Sequence, residues 1–543
     1  DRDNILQQFI WSGGQIDTKD LRANWNTFDE NGNVYNWNHN YQNNPFFTLF
    51  KNVKPSQRDR ITGHLGAGYK ITDWMTLRGK VMTDVYTENR KRIFAAGSAD
   101  YPDGSFQEDE FYVKEFNSEV TLNIDRKLSD DLSMNLIVGA NHRKYDYSRS
   151  SIDVERLTVP DIYNVGNANG NPLVSQLVSE KEVNSVFGLM SLGYKDFLFL
   201  DVTGRNDWSS TLPIQENSYF YPSVNLSLSL VEALGLSSNF DLLKVRGSWA
   251  QVGSDTDPYK LATTFQSATP WEGIPRFTEG NSLPPAVLTP ERTTSIEVGL
   301  EARMFLNRVG LDITYYNAAT DDQILSLNSS PTTGYSFRTL NAGTIENNGL
   351  EVMLNVTPIK TTDFSWDLTL NWSKNNSTVR DLPDGADVIL LGRYWGLDLE
   401  AREGQPYGTF RGRKALYHDG QLVLNGGLPQ RDPDANNEVL GSIQPDWLGG
   451  IRNSFSYKNL DMSFLIDIKQ GGDLFSMSYM FGRYAGVFEE SLEGRNTADE
   501  IKNGYVYEGV IDNGDGTFRP NDVPMDAETW NLYYYQSIGG HDR

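Results

Sequence analysis

The sequence contains no cysteine among its 543 residues. Without thiols the chain has neither a disulfide framework nor thiolate metal sites.

Long hydrophobic runs are also missing. The longest, such as residues 135–140 and 197–200, fall far short of the about 20 apolar residues that a membrane-spanning helix needs. Helical membrane proteins are therefore excluded.

Basic residues and histidine are scarce. The chain has 48 Lys and Arg against 72 Asp and Glu, a net charge of -24, which disfavours nucleic acid as a partner. No serine-hydrolase, zinc-protease or phosphate-loop motif occurs. The five histidines have no metal-ligand spacing; they are His39, His64, His142, His418 and His541. We therefore predict no catalytic residues, no metal, no cofactor and a protein that is not an enzyme.

Aromatic residues are abundant at 12 %, and the chain has 48 glycines. Aromatics favour β-strands in any protein, and outer-membrane barrels concentrate them in girdles at both rims. The mean hydropathy of -0.50 resembles that of a soluble protein. It is equally compatible with a barrel, because only alternate residues of each strand face lipid.

Apolar and polar residues alternate with a period of two. Between residues 223 and 230 every even position is Val or Leu and every odd position is Ser or Asn. Successive side chains of a strand point to opposite faces, so this segment has one apolar and one polar face. The same alternation occurs in 296–303, 311–316, 366–373 and, with Leu465 as an exception, 460–469.

Short and long connections alternate between these segments. Short links occur at 194–197, 305–309, 358–363 and 457–460. Long polar segments lie at about 87–111, 142–182, 206–218, 253–290, 317–346, 375–440 and from 470 onward. Tight periplasmic turns and long extracellular loops are typical of outer-membrane barrels, whereas a compact soluble domain rarely has so many long connections. The sequence therefore predicts an all-β fold, a large antiparallel transmembrane β-barrel.

Counting hairpins gives about fourteen strands. The predicted spans are 59–71, 74–88, 111–125, 131–146, 183–194, 197–208, 218–230, 242–252, 291–305, 309–319, 347–357, 364–374, 447–457 and 460–470. We predict that residues 1–58 form a loop region of the barrel, with a helix beginning near Asp17. Residues 59–470 hold the strands and their loops, and 471–543 form a large extracellular insertion that includes helical pieces.

Several motifs occur in a fixed order. They are 205–213 (RNDWSSTLP), 219–223 (YFYPS), 244–253 (KVRGSWAQVG), 288–300 (LTPERTTSIEVGL), 341–343 (NAG), 347–351 (NNGLE) and 445–450 (PDWLGG). In order and approximate spacing they resemble the SusC/RagA-type TonB-dependent outer-membrane transporters of the Bacteroidetes, from Trp11 to Phe475. The residues that carry this resemblance most clearly are Asn206, Asp207, Trp208, Pro290, Glu291, Arg292, Gly349, Pro445, Asp446 and Trp447.

These motifs also have a plain structural interpretation, which we favour over ligand contact. Trp208 can sit at the headgroup level while Asn206 and Asp207 satisfy the backbone of a turn. Pro290 and Pro445 precede strands, where a missing N–H costs little. The motifs thus indicate a barrel family and do not indicate a catalytic site.

The resemblance implies an importer. It implies a barrel of about 22 strands, a plug domain and a TonB box. We therefore expect this chain to be a barrel fragment that lacks the plug and the last strands. The implied partners are a SusD-like surface lipoprotein, the TonB complex, which acts through the missing N-terminal part, and outer-membrane lipid. Dimers of the transporter–lipoprotein pair are also implied. The implied substrates are oligosaccharides or peptides.

Loop aromatics are the candidate substrate contacts, because aromatic rings stack on the apolar faces of sugars. They are Trp271, Tyr335, Trp395, Tyr407 and Tyr417. Packing within loops or against the lipoprotein is the favoured alternative for each. Residues 512–517 only loosely resemble a calcium loop, and a solvated turn is the favoured interpretation. Two other function classes stay open: a passive porin or structural envelope barrel, and an outer-membrane enzyme barrel.

Overall fold

A single antiparallel sheet of fourteen strands dominates the computed structural model, and its strand order follows the chain. The structure describes residues 4–38, 40–236, 240–272, 274–285, 287–383, 386–433 and 438–533. The strands are β1 Ser56–Thr72, β2 Met75–Phe94, β3 Ser105–Lys127, β4 Leu132–Val154, β5 Leu173–Tyr194, β6 Leu198–Ser209, β7 Ser218–Ser229, β8 Phe240–Ser254, β9 Glu291–Met304, β10 Val309–Asp321, β11 Thr344–Lys360, β12 Phe364–Asp381, β13 Trp447–Tyr457 and β14 Leu460–Gln470.

All fourteen predicted strands are confirmed, and the last two have the predicted bounds. The largest differences are at the ends next to the long connections. Strand β2 continues to Phe94, β4 to Val154 and β12 to Asp381, whereas β3 begins at Ser105 and β5 at Leu173. In these extensions the ladder of backbone hydrogen bonds continues, but the side chains no longer alternate between lipid and water. The sequence pattern therefore ends before the strand does.

The register of the sheet collects the apolar residues on one face. Residues directly opposite each other in neighbouring strands share a face, so a row of paired residues can be followed from strand to strand. One row from β8 to β14 is Leu243, Ala302, Leu311, Leu354, Leu370, Ile451 and Ile466. A second row from β3 to β8 is Ile124, Leu136, Met190, Val202, Val224 and Trp249.

This apolar face has nothing packed on it within the described part of the chain. Leu65 is 83 % exposed and Val298 is 53 % exposed. The four clusters of buried hydrophobic residues found in the described residues lie instead at strand ends and in loops. A water-soluble protein would bury such a face, because exposed apolar area is costly in water. An outer-membrane barrel presents it to lipid.

All the connections of more than ten residues lie at one rim of the sheet. Successive antiparallel strands are joined alternately at opposite ends, and the connections 95–104, 155–172, 210–217, 255–290, 322–343 and 382–446 share one end. The opposite rim has short turns and one ten-residue connection, 230–239. Several of these turns use the left-handed region for residues other than glycine, for example Lys195, Asp196 and Lys458. We call the two ends the long-loop rim and the short-turn rim.

The long-loop rim carries most of the remaining elements. The helices in the described residues are Ile5–Trp11, Thr18–Ala23, Pro45–Lys51, Met477–Tyr484, Ala498–Asn503 and Ala527–Tyr533, with Leu230–Leu234 at the short-turn rim and single 3-10 turns at Val165–Asn167, Pro331–Thr333 and Glu489–Leu492. None of these helices is both long and apolar enough to cross a membrane. The loop strands are Phe265–Trp271, Ile274–Glu279, Ser282–Leu283, Ile324–Asn328, Phe337–Asn341, Ile389–Tyr394, Leu397–Ala401, Thr409–Gly412, Tyr417–His418, Gln421–Asn425, Leu428–Pro429, Glu438–Ser442, Val510–Asp512 and Phe518–Pro520.

Two long segments fold together into one unit at this rim. Val423, from the β12–β13 connection, pairs in parallel with Val510, from the segment after β14. Leu424, Tyr507 and Trp530 form a buried core between them, and burial raises the pKa of the Tyr507 hydroxyl. The loops therefore contain a hydrophobic core of their own.

The two outer strands, β1 and β14, each have a neighbour on one side only within the described residues. At the long-loop rim the segments next to them meet, because the Trp11 ring lies 5.0 Å from that of Phe481 and 5.3 Å from that of Tyr484. An unpaired strand edge is not tolerated in lipid.

The division of the chain into a loop region 1–58, the strands and loops 59–470 and an insertion 471–543 stays a prediction.

Arginine on the apolar face should destabilise the barrel far more than arginine on the polar face. Leu354 lies opposite Leu311 and Leu370, whereas its neighbour Asn355 is exposed on the other face. We expect Leu354→Arg to lower the free energy of unfolding of the intact receptor in lipid bilayers by roughly 2–4 kcal/mol. The matched variant Asn355→Arg should change it by less than about 1 kcal/mol. Equal losses would contradict the assignment of the two faces.

Candidate functional site

The motif at residues 205–209 builds a polar network on the polar face near the long-loop rim. Asp207 is only 7 % exposed, and its carboxylate accepts hydrogen bonds from Arg205 Nε at 2.7 Å and from the Tyr221 hydroxyl at 2.6 Å. Arg205 Nη2 also donates to Ser185 Oγ at 2.7 Å. Strands β5, β6 and β7 are thereby tied together by buried, charge-assisted hydrogen bonds, which are stronger than neutral ones.

The same network continues into the β8–β9 connection. Ser209 Oγ donates to Asp255 at 2.5 Å, and Lys181 Nζ pairs with the other oxygen of that carboxylate at 2.5 Å. Asp255 is the first residue after β8. The start of a long loop is thus fixed to the wall of the sheet.

Asn206 and Trp208 lie on the opposite, apolar face. Asn206 Nδ2 donates to Ser218 Oγ at 3.0 Å, and Trp208 is partly exposed close to the long-loop rim. The role of Trp208 in an aromatic girdle stays a prediction. The expectation that Asn206 and Asp207 satisfy the backbone of a turn is wrong, because both lie within β6 and bond the side chains of Ser218, Arg205 and Tyr221. Arg205, Asp207 and Ser209 alternate with Asn206 and Trp208 and lie on the polar face.

The motifs that enter β9 and β13 hold the backbone of long loops. The Glu291 carboxylate accepts from the Ile324 N–H at 2.8 Å, and Pro290 directly precedes β9. Arg292 lies opposite Gly253 and Asp321. These residues therefore stabilise the backbone of the long-loop rim.

The motif before β13 has a similar role. The Asp446 N–H donates to the Gln470 carbonyl at 2.8 Å, and Trp447 begins β13 opposite that residue. Pro445 stands immediately before this contact. The pairing of β13 with β14 thus starts at this motif.

Gly349 is required by a close approach on the polar face. A Cβ atom at this position would lie 2.5 Å from the carbonyl oxygen of Lys374 and would also overlap the hydroxyl of Tyr316. The Tyr316 hydroxyl donates to Asn375 Oδ1 at 3.0 Å. Glycine therefore lets the phenol ring lie flat across two strands.

Further along the polar face, an ion pair links β8 to β10. Arg246 binds the carboxylate of Asp312 with two nitrogens at 2.8 and 3.1 Å and also donates to Thr314 Oγ1 at 2.5 Å. A concave patch beside this pair also contains Glu351 and Asn371. The polar face is thus lined with paired charges and amides, a surface suited to a hydrated solute.

The five aromatic candidates do not form one cluster among the described contacts. Trp271, which is 63 % exposed, ends a loop strand, and the Arg276 guanidinium lies 6.0 Å from its ring centre. The Tyr335 hydroxyl donates to Glu279 at 2.7 Å, which raises the pKa of that hydroxyl. Glu279 ends the partner strand of the Trp271 strand. These two candidates therefore lie in connected loops.

The other three candidates lie in the β12–β13 connection. Trp395 packs edge-on against Phe481 with ring centres 5.4 Å apart. Tyr407 packs against the buried cluster that includes Val379, so its ring serves loop packing. Tyr417 is exposed in a two-residue strand. As substrate contacts all five residues stay predictions.

Residues 512–517 form a turn stabilised by their own carboxylates. Asp512 accepts from the Gly514 N–H at 2.7 Å, and Asp515 accepts from the backbone and hydroxyl of Thr517. Both carboxylates thus stabilise the turn, as the sequence predicted. No cluster of three His, Cys, Asp or Glu suited to a metal occurs in the described residues. His39 and His541 lie outside them.

The sequence reasoning did not identify the polar-face ion pairs. Arg205, Arg246 and Asp312 each occupy a polar position in an alternating strand, so their face was predictable. Their pairing was not, because it depends on the register between strands. A comparison of the charged positions in the two strands of each hairpin could have suggested these ion pairs.

The comparison with known families decides the identity of this fold. The profile of the TonB dependent receptor-like β-barrel matches residues 7–457. The chain belongs to this family of outer-membrane receptors. The resemblance inferred from the motifs, the fold class and the outer-membrane location are thereby confirmed.

Named relatives of this TonB-dependent receptor barrel come from two bacteria. TonB-dependent receptor P26 of Formosa agariphila is 28 % identical over 473 residues, which are 80 % of this chain and 47 % of that protein. TonB-dependent receptor SusC of Bacteroides thetaiotaomicron is 35 % identical over 192 residues, or 32 % of this chain and 19 % of that protein. The chain spans less than half the length of these relatives.

Among solved structures, the RagAB peptide transporter has the same fold. It superposes with a TM-score of 0.72 at 17 % identity, covering 87 % of this chain and 55 % of that chain. At this identity the likeness concerns the fold alone. It agrees with the fourteen-stranded antiparallel sheet described above.

Alanine at Gly349 should destabilise the receptor barrel. The added Cβ would collide with backbone as well as with Tyr316, so relaxation of one side chain cannot remove the overlap. We expect Gly349→Ala to lower the free energy of unfolding by about 1–3 kcal/mol. The matched control is Gly310→Ala on the neighbouring strand, where the nearest atom lies 3.7 Å away. Denaturant unfolding in bilayers measures both; equal values would contradict the close-approach argument.

Proposed function

We propose that the intact protein imports oligosaccharides or peptides across the bacterial outer membrane and that TonB supplies the energy. The observation that carries this proposal is the two-faced sheet of a TonB-dependent receptor barrel. One face is apolar and open to lipid, and the other is lined with charges and amides. A barrel of this class has a wide lumen that must be plugged to keep the membrane tight.

The polar face supports a conduit for hydrated solutes. Arg246–Asp312 and Arg205–Asp207 are paired within the wall, so they add polarity without a large local charge. A solute moving past can exchange hydrogen bonds with these groups in place of water. Such a wall suits sugars and peptides better than lipids.

The partner we propose is a SusD-like lipoprotein at the long-loop rim. One named relative is SusC, and the structure with the same fold is the RagAB peptide transporter. The unit built around Leu424, Tyr507 and Trp530 supports this proposal, because a loop with its own core can present a stable surface to a partner. Dimers of the transporter–lipoprotein pair are part of the same proposal.

Two alternative functions predict different behaviour. A passive porin or structural barrel would need no energy source and no plug. An enzyme barrel would need a nucleophile or paired carboxylates at one rim. Membership of a receptor family favours import over both.

The proposed function predicts that uptake depends on TonB. A strain that lacks the gene should lose growth on one class of oligosaccharide or peptide, and the intact gene should restore it. Restoration should fail in a background without TonB. Uptake that persists without TonB would show a passive pore and would contradict the proposal.

Trp271 offers a test of the loop aromatics. Because its ring is exposed and makes few packing contacts, we expect Trp271→Ala to raise the Kd for the imported solute about tenfold without lowering Tm. Isothermal titration with the purified receptor measures the Kd. The matched variant Tyr407→Ala removes a packed ring and should lower Tm. If Trp271→Ala left the Kd unchanged, this residue would not be a substrate contact.

A further inference from the structure

A row of charged residues crosses the polar face of β1–β4 near the long-loop rim. The register places Arg58 opposite Glu88, Glu88 opposite Phe111, and Phe111 opposite Arg149. In the next row Arg90 lies opposite Asp109. Four strands thus contribute to one cluster at the entrance of the lumen, which we call the arginine cluster and define as Arg58, Glu88, Arg90, Asp109, Phe111 and Arg149.

Buried carboxylates hold the guanidinium groups in place. The Glu88 side chain is only 7 % exposed; its two oxygens accept from Arg58 Nε at 2.9 Å and from Arg90 Nε at 2.6 Å. Asp109 accepts from Arg149 Nε at 3.0 Å and Nη2 at 2.8 Å. The acidic groups therefore lie beneath the arginines.

The phenyl ring of Phe111 completes this support. The Arg90 guanidinium carbon lies 4.5 Å from its ring centre and that of Arg149 lies 5.7 Å away. Cation–π contacts of this kind favour a fixed guanidinium orientation. The arginine side chains remain accessible, with 50 % exposure for Arg90. The contact of Arg90 with Glu88 uses its Nε, and a guanidinium has further N–H groups that a ligand can engage.

The cavity beside the cluster has an excess of positive charge. It measures about 660 Å³ and is lined by five basic and two acidic residues, and one of the basic residues, Lys91, pairs with Glu108 outside this lining. The local excess is still positive, although the whole chain carries a net charge of -24. The basic residues are Lys54, Arg90, Lys91, Arg92 and Arg149; the acidic ones are Glu88 and Asp109. A local excess of preorganised arginines is suited to carboxylate or sulfate groups, which guanidinium binds in bidentate fashion.

The remaining lining favours a sugar over a peptide. Ser56 and Gln107 supply the uncharged polar side chains of this lining. Hydroxyl and amide groups exchange hydrogen bonds readily with a polyhydroxylated ligand. Pro55 is the only apolar residue in this lining, and this leaves little apolar surface for peptide side chains.

We propose that the arginine cluster is an entry subsite for acidic oligosaccharides, with Arg90 and Arg149 binding their carboxylate or sulfate groups. This inference rests on the proposed function and narrows its substrate class. The carboxylates of Glu88 and Asp109 act as positioning groups for these arginines. Because the attraction is electrostatic and the site is open, added salt should weaken it.

The test measures binding by the intact purified receptor, separately from uptake. The probes are a uronic acid-containing oligosaccharide, a sulfated one, a neutral one of equal length and an acidic peptide. We expect the acidic oligosaccharides to bind more tightly than the neutral one, and Arg90→Gln to raise their Kd about tenfold. The Kd of the neutral probe should be unchanged. Glu88→Gln should weaken binding less, because it loosens the arginines and leaves their charge.

A matched control separates this site from charge in general. Arg303 lies on the same face at the short-turn end, is paired with Glu301 at 2.9 Å and is similarly exposed. Arg303→Gln should leave the Kd of every probe unchanged. Arg90→Lys keeps the charge and should retain part of the affinity. Binding by this variant also shows that a substitution at this position allows correct folding.

Several results would overturn the inference. Equal binding of acidic and neutral oligosaccharides, or equal effects of Arg90→Gln and Arg303→Gln, would contradict the subsite. Selective binding of the acidic peptide would contradict the sugar assignment. If the receptor still imported a neutral nutrient with TonB in any of these cases, the proposed function would stand and the arginine cluster alone would be wrong.

Discussion

The structure depends on one constraint: inside lipid, every backbone N–H and C=O must be paired within the protein. The strands between β1 and β14 satisfy it by pairing in chain order with a neighbour on each side, whereas β1 and β14 each have one neighbour within the described residues. Side chains alternate along each strand, so a slip of one residue would move every apolar group to the polar face. The register that satisfies the backbone therefore also decides which residues meet lipid and which line the lumen.

The hydrophobic side chains that are buried lie in different parts of this protein from those of a soluble domain. The apolar residues of the sheet are exposed, and the buried clusters lie at strand ends and in loops. The long-loop rim is consequently the part of the chain that folds by burying its side chains. The hydrogen bond from Ser209 to Asp255 then fixes the start of the β8–β9 connection to the wall. A rim organised in this way can hold charged groups such as those of the arginine cluster in defined positions.

Sequence alone identified the strands, because lipid on one side and water on the other impose a strict period of two. The bounds of β13 and β14 were predicted to the residue, since short turns and full alternation mark both ends. The ends of β2, β3, β4, β5 and β12 at the long-loop rim were missed, because the apolar–polar alternation stops before those strands end. The joint folding of the segments around Val423 and Val510 was also missed, because that pairing is distant in sequence. For the same reason the arginine cluster, which needs four strands in register, could not be read from any one segment.

The most direct test of the central claim is the accessibility of spin labels placed one at a time at residues 350–357 of β11 in the intact receptor in bilayers. Labels at even positions should collide with oxygen, which dissolves in lipid, and labels at odd positions with a water-soluble nickel complex. The structure predicts this period of two along the strand, with Leu354 and Asn355 as neighbouring opposites. Accessibility without that period, or nickel contact at the even positions, would contradict an apolar face directed toward lipid.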